Sequence, residues 1–266
     1  MAEDTEAYLS RRRFFDSLLT VYGRKPVLEV LRDAGIPVYR LHLADSNRGD
    51  GIIRDIEKAA SARGIEIRRH SREALARISR NRKQDQGVAL DLQCPNYRDY
   101  RTFMEEASEE APARRAYRLI ALDRVTNPQN LGMIIRSVAA GNLDGLLLPT
   151  RGCAPLSPLV IKASAGTLFR CPILRCERLP DALAEFAASG AEICILSGNA
   201  EHNLADYRPA GPCVYVLGNE TEGVSENVRR LAHRQVRIPL NNGVESLNVA
   251  VTAALIAFRD RLDTGT

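Results

Sequence analysis

From Arg118 to its end, this chain of 266 residues alternates short apolar runs with segments of helical periodicity, and no other feature constrains its fold as tightly. Strand-like runs fall at 119–122, 145–148, 172–174, 192–196, 213–217 and 235–238. Helical spacing fills 131–140, 158–163, 181–188, 226–232 and 247–262. A helix between two strands carries the chain back to its starting edge, so such strands pair in parallel. Parallel strands are covered on both faces and are apolar throughout rather than alternating. The runs LIAL and VYVL have that character. Residues 117–266 are therefore expected to form an α/β domain, a mostly parallel sheet with helices on both faces.

The first 95 residues repeat the alternation on a smaller scale. A helix expected over 26–34 carries Pro26 in its first turn and stops at Gly35; another over 52–62 stops at Gly64. Strands are expected at 38–43, 65–68 and 87–92, with a helix at 72–78, giving a small α/β layer domain over 1–95. Between the two domains, 96–116 (NYRDYRTFMEEASEEAPARRA) is charged, interrupted by proline and poor in aliphatics, the composition of a linker.

Charge divides along the same boundary. Lys plus Arg number 37 against 33 Asp plus Glu, a net charge of +4. Residues 1–95 hold 18 basic and 14 acidic side chains, whereas 96–266 hold 19 of each, so the whole excess lies in the first domain. Much of it falls in 63–83, where eight basic residues face only Glu66 and Glu73. A charge run is ordinarily a solvated helix face. This one crosses an expected strand, helix and loop, and reads as a nucleic-acid footprint. Arg24, Lys25, Arg68, Arg69, Arg80 and Arg82 are the candidate RNA contacts. With four lysines among the basic residues, arginine dominates, which suits planar contact with phosphates and equally follows from a GC-rich coding sequence.

Other classes are excluded or disfavoured. A hydrophobic content of 45% with 26% charged residues rules out wholesale disorder. No apolar run approaches the ~18–20 residues that a membrane helix needs. The segment MAEDTEAYLSRRR has no apolar core, against a signal peptide. Six cysteines without a C-x-x-C pair read as reduced, packed thiols, consistent with a cytoplasmic protein. His42, His70, His202 and His233 show no metal spacing, and no metal is expected. Neither G-x-G-x-x-G nor a P-loop occurs, which disfavours dinucleotide-dependent redox chemistry, NTP hydrolysis and the Rossmann type of methyltransferase.

Three segments, each just after an expected strand, carry candidate chemistry, because ligands bind beyond the carboxyl ends of strands in open α/β sheets. In LDRVTNPQNLGMIIR, Asn127-Pro128 makes a turn, Asn130 can cap the following helix, Gly132 permits a close helix approach and Arg136 follows. In VYVLGNETEGVSENV, an apolar strand runs into Gly218-Asn219-Glu220, and Glu220 and Glu222 favour a ligand that offers donors or positive charge. In RIPLNNGVESLNVAV, a tight loop leads to Ser246-Leu247-Asn248, where the side chains either cap the last helix or bind a ligand.

In order and spacing these segments resemble the three signature motifs of the SpoU/TrmH family of RNA 2′-O-ribose methyltransferases, within the SPOUT superfamily. The resemblance runs from about Tyr22, where YGRKPVLEVLR and DQGVALDL are similar to the N-terminal substrate-binding domain of bacterial rRNA ribose methyltransferases, and KASAGTLFRCPILRC also follows the family. It implies a trefoil knot in the C-terminal domain, a departure from the rule that chains do not thread loops. It implies S-adenosylmethionine (AdoMet) as methyl donor, with Gly218, Ile238 and Leu247 contacting it and Asn219 and Leu240 nearby. It places functional residues at Asn130, Arg136, Glu220, Ser246 and Asn248. It implies a homodimer with the site near the subunit interface, and structured RNA as partner, rRNA favoured and tRNA next.

The chemistry fits these residue types. A ribose hydroxyl attacking a sulfonium methyl needs help with its proton and its developing negative charge. A guanidinium hardly deprotonates, so Arg136 is expected to orient the hydroxyl or a phosphate and to stabilise charge. Asn130 is expected to hold Arg136 or the ribose, and Glu220 to position one of them. The competing class, an inactive RNA-binding or ribosome-assembly protein on the same fold, is disfavoured because all five polar positions keep the family's residue type.

Overall fold

A computed structural model describes residues 14, 18–47, 49, 51–94, 96–109 and 116–262 and divides into two units, Met1–Pro95 with Leu156–Pro158, and Asn96–Pro155 with Leu159–Thr266. The first unit runs β1 (Leu18–Tyr22), α1 (Arg24–Arg32), β2 (Val38–Ala44), α2 (Gly51–Ala62), β3 (Glu66–His70), α3 (Arg72–Ser79) and β4 (Val88–Gln93). Its sheet has the order β1-β4-β2-β3, with β4 antiparallel to both neighbours and β2 parallel to β3.

Alternation along these strands sends Leu41, Leu43, Leu90 and Leu92 to one face, where Val27, Leu31, Ile53 and Ile56 of α1 and α2 are also buried. On the other face Leu75 and Ile78 of α3 pack with Tyr22, Ala44 and Ala89. The rest of that face carries a chain of polar groups across all four strands. Thr20 donates to Asp91 at 2.7 Å, Asp91 lies 2.9 Å from His42 Nε2, and His42 Nδ1 lies 2.9 Å from His70 Nε2.

The second unit contains β5 (Tyr97–Asp99), α4 (Tyr100–Glu109), β6 (Arg118–Leu122), α5 (Pro128–Ala140), β7 (Gly145–Pro149), α6 (Pro158–Ala163), β8 (Ile173–Cys176), α7 (Leu179–Ala188), β9 (Glu192–Leu196), β10 (His202–Asn203), β11 (Cys213–Leu217), α8 (Glu226–Arg229), β12 (Arg234–Arg237) and α9 (Val249–Leu262). Its eight strands pair in the order β10-β12-β9-β11-β6-β7-β8-β5, every pairing parallel. The five residues of β7 and of β11 are all buried, as two covered faces require. Part of the stretch read as a linker is therefore structured: 97–109 form β5 and α4, and β5 is an edge strand of this sheet. Tyr100 and Phe103 anchor α4 in the core beside Phe186, apolar content that the charged composition masks. Residues 110–115 lie outside the described residues.

Two helices of this unit run side by side in the same direction. Near their starts Asn248 Nδ2 donates to Asn130 Oδ1 at 3.2 Å, and near their ends Asn142 N donates to the Ala257 carbonyl at 2.8 Å. Glycines permit the approach: a Cβ on Gly141 would lie 2.6 Å from that of Ala257, and one on Gly132 would lie 2.4 Å from that of Ala163 in α6.

Candidate active site

The loops that follow β6, β9, β11 and β12 gather at the carboxyl ends of four adjacent strands. Those after β9, β11 and β12, with the start of α9, line a cavity of about 340 Å³. Among its walls are Gly218, Asn219, Ile238, Leu240 and Leu247, the five positions singled out for the methyl donor, together with Glu220 and Ser246. Asn130, Arg136 and Asn248 do not line it.

The floor of the cavity depends on Gly218. A Cβ there would sit 2.2 Å from the carbonyl carbon of Gly223 and 2.3 Å from Val224 N, so only glycine lets the loop turn back on itself. Asn219 and Gly223 close the turn with mutual backbone bonds of 3.1 and 2.9 Å. The Asn219 side chain is spent inside the turn: Oδ1 accepts from Thr221 N at 2.9 Å and Glu222 N at 3.3 Å, and Nδ2 donates to the Arg124 carbonyl at 3.2 Å. Asn219 thus borders the cavity while its amide shapes the loop.

Glu220, at the tip of that turn, is held from behind. Asn130 Nδ2 donates to Glu220 Oε1, and Asn248 Nδ2 donates in turn to Asn130 Oδ1. Two expected roles change here. Asn127, not Asn130, caps α5, accepting from Gln129 N at 2.8 Å, with Pro128 starting the helix. Asn248, not Ser246, caps α9, its Oδ1 accepting from Ala250 N at 2.8 Å. Asn130 is consequently free of capping, buried at 7% exposure, and its amide links Glu220 to Asn248.

Asn130 does not hold Arg136. Six residues on a helix place the two side chains about 120° apart around its axis. Asn130 faces inward, while Arg136 is exposed with Gln129 and Met133 and makes no hydrogen bond or ion pair among the described residues. Asp123 and Arg124, the pair directly after β6, have structural roles that the motif pattern does not reveal. Asp123 Oδ2 accepts from Ser225 N at 2.5 Å, and Arg124 pairs with Glu222. Their place inside the first of the three segments, directly after a buried strand, was the available signal. Thiol chemistry has no place here, since burial pushes Cys94, Cys171 and Cys176 up to about 12 and Cys153 and Cys213 up to about 11.

In the first unit the candidate RNA contacts separate into two groups. Arg24 donates to the Gln86 carbonyl at 3.3 Å and to Asn47 at 3.1 Å, and Asn81 donates to the Tyr22 hydroxyl at 3.0 Å. These bonds draw the start of α1 against the loop between α3 and β4. Lys25, Arg80, Arg82 and Lys83 are exposed on these two segments, with no ion pair among the described residues. Arg68 and Arg69 point to opposite faces of β3 and pair with Glu66 and Glu57, each at 2.6 Å. Arg63, inside the basic run, is also structural: its guanidinium donates to the carbonyls of Leu31, Asp33 and Ile36 at the end of α1. The contiguous patch expected over 63–83 is thus narrower than its sequence, because strand alternation and helix capping divide it.

A parallel α/β sheet with its cavity at the strand ends, joined to a small basic α/β unit, defines the class before any name. Residues 117–258 match the SpoU rRNA methylase family, and residues 20–98 match the domain described as RNA 2′-O ribose methyltransferase substrate binding. The chain is 36% identical over 247 residues to an uncharacterized tRNA/rRNA methyltransferase of Mycolicibacterium vanbaalenii, covering 92% of this chain and 77% of that protein. It is 35% identical over 237 residues to one from Mycobacterium avium, covering 89% and 75%. Among solved structures, the AdoMet-bound rRNA methyltransferase of Sinorhizobium meliloti aligns with TM-score 0.59 at 23% identity, covering 97% of this chain and 92% of that one. The SpoU methyltransferase AviRb of Streptomyces viridochromogenes, in complex with AdoMet, aligns with TM-score 0.57 at 23% identity, covering 95% and 94%. The chain belongs to the SpoU family of AdoMet-dependent RNA methyltransferases.

Proposed function

We propose that this protein methylates the 2′-hydroxyl of a ribose in structured RNA, with large-subunit rRNA the favoured substrate and tRNA the alternative. One observation carries the reading: all five residues singled out for the methyl donor border a single cavity at the carboxyl ends of the strands. The residues suit AdoMet. Gly218 lets the loop fold back on Gly223 and Val224 and so shapes the wall, and Glu220, Glu222 and Glu245 outnumber Arg229 and Arg237 around a space meant for a ligand of net positive charge. Gly218, Ile238 and Leu247 would hold the donor, with Asn219 and Leu240 completing the walls. Once bound, it supplies an electrophilic methyl group on a sulfonium.

The protein's task is to position and polarise the hydroxyl. Its oxygen bonds to the methyl carbon as the carbon–sulfur bond breaks, and its proton passes to water. Arg136 orients the ribose or its phosphate and offsets the negative charge that develops. Glu220, fixed through Asn130 and Asn248, has its second oxygen free among the described residues to orient the ribose, and Ser246 borders the same space.

A homodimer supports this arrangement. Met133 on α5 and Val251 and Leu255 on α9 are 39 to 48% exposed, an apolar surface suited to a second copy. Arg136 belongs to the same exposed stripe of α5, as a site near the subunit interface requires. The strand order also suits the trefoil knot of the family: the chain leaving β11 crosses β9 to reach β12, and the chain leaving β10 crosses both to reach β11. In the first unit, Lys25, Arg80, Arg82 and Lys83, with Arg24 behind them, would grip RNA phosphates. Cytoplasmic residence accords with this substrate. Mapping 2′-O-methylation across the RNA of a strain lacking this protein tests the reading. Loss of one ribose methyl, in rRNA or in tRNA, names the substrate; an unchanged map contradicts the proposal.

A further inference from the structure

Arg124 does not line the cavity, yet it fastens the loop that does. Three of its groups are used. Its carbonyl accepts from Asn219 Nδ2 at 3.2 Å, at the entry to the turn. One guanidinium nitrogen donates to the Gly223 carbonyl at 3.3 Å, at the exit, and another pairs with Glu222 at the tip. Arg124 thus fastens the turn at its entry, tip and exit, while Asn130 holds Glu220 and Asp123 holds Ser225 N just beyond it. Neither unusual feature of Arg124 is needed to complete the sheet. Its φ is +61°, a left-handed conformation that a non-glycine residue holds only when its surroundings impose it. Its Nε is buried without a hydrogen bond, with Asp123 Oδ1 3.8 Å away.

We propose that Arg124 is a positioning residue for the methyl donor: through Glu222 and the Gly223 carbonyl it sets the position of loop 218–224, and so the affinity for AdoMet. The inference rests on the AdoMet reading of the cavity. Electrostatics gives it a second consequence. Glu220 and Glu222 are two residues apart in a tight turn, and the guanidinium neutralises the one that Asn130 does not hold. Because the Glu222 side chain is 65% exposed, that pairing is open to salt, and AdoMet affinity inherits the sensitivity.

Calorimetric titration of AdoMet and of S-adenosylhomocysteine into the full-length protein tests this. Arg124→Gly removes the guanidinium while suiting a positive φ, and Glu222→Gln, at an exposed position, leaves folding intact. The expected result is a Kd for AdoMet raised about tenfold by R124G, which loses charge-assisted bonds, and about threefold by E222Q, which loses an exposed pair. Turnover at saturating AdoMet stays within about twofold of wild type, so the change falls on KM rather than kcat. Raising salt from about 0.05 to about 0.5 M weakens wild-type binding more than binding by either variant. Unchanged Kd in both variants overturns the proposal, as does a loss of kcat at unchanged Kd. A wild-type protein that binds neither ligand overturns the AdoMet reading itself.

Discussion

Asn130 shows how one buried amide organises the site. Its donor holds Glu220 and its acceptor takes Asn248, so replacing it with alanine leaves two polar partners unpaired. Asn130→Ala should cost about 1–3 kcal/mol of stability and slow methyl transfer by about a hundredfold, with AdoMet affinity little changed. Denaturation and single-turnover kinetics check the two effects. Arg136→Lys keeps the charge but loses the planar fork, and is expected to lower kcat by about a hundredfold while RNA binding persists. Turnover near wild type in that variant would remove the case for a guanidinium. At this scale the sequence singled out candidate residues without showing what they touch. Asn130, Asn248 and Glu220 were marked by the resemblance of their segments to the family motifs, but their mutual bonds depend on two helices starting at Pro128 and Val249, boundaries that shift by a few residues when read from periodicity alone.

Elements bring these residues together, and their packing can be tested directly. Gly132 lies so close to Ala163 that a methyl group forces α5 and α6 apart. Gly132→Ala should destabilise by about 1–3 kcal/mol, lowering Tm by about 2–4 °C per kcal/mol in a chain of this length. In the first unit the chain from Thr20 through Asp91 and His42 to His70 carries a pH signature. Burial, and then the neighbouring His42, hold the His70 imidazole below its usual range. The unfolded chain therefore binds a proton at higher pH than the folded one, and stability falls as pH drops from about 6.5 to the folded-state value, then levels. Urea denaturation across that range should show the slope, and His70→Asn should flatten it.

Strands with two covered faces were legible because burial makes them uniformly apolar, and β9 and β11 fall where their composition places them. By contrast, β5 and α4 were hidden by their charge. A three-residue edge strand needs little apolar surface, and α4 docks through Tyr100 and Phe103 while its other face carries glutamates.

The molecule as a whole divides its charge between its two parts. All of the net +4 lies in residues 1–95, while the rest of the chain is neutral. Part of that excess is structural, as Arg63, Arg68 and Arg69 show, while Lys25, Arg80, Arg82 and Lys83, exposed and without an ion pair among the described residues, sit where α1 begins and just after α3 ends. Replacing Lys25, Arg82 and Lys83 together by alanine should weaken RNA binding about uniformly across sequences and lower the slope of log K against log salt by about 2–3, leaving AdoMet affinity unchanged. A slope equal to wild type would move the RNA grip elsewhere.

The central claim, methyl transfer from AdoMet to a ribose hydroxyl, is tested most directly with tritiated AdoMet and RNA from a strain lacking the protein. Methylation of the 2′-oxygen removes the nucleophile that cleaves RNA in alkali. Ribose methylation leaves the label in one dinucleotide after alkaline digestion and no label when the target ribose is 2′-deoxy. Label released on a methylated mononucleotide, or retained on the deoxy substrate, would contradict it.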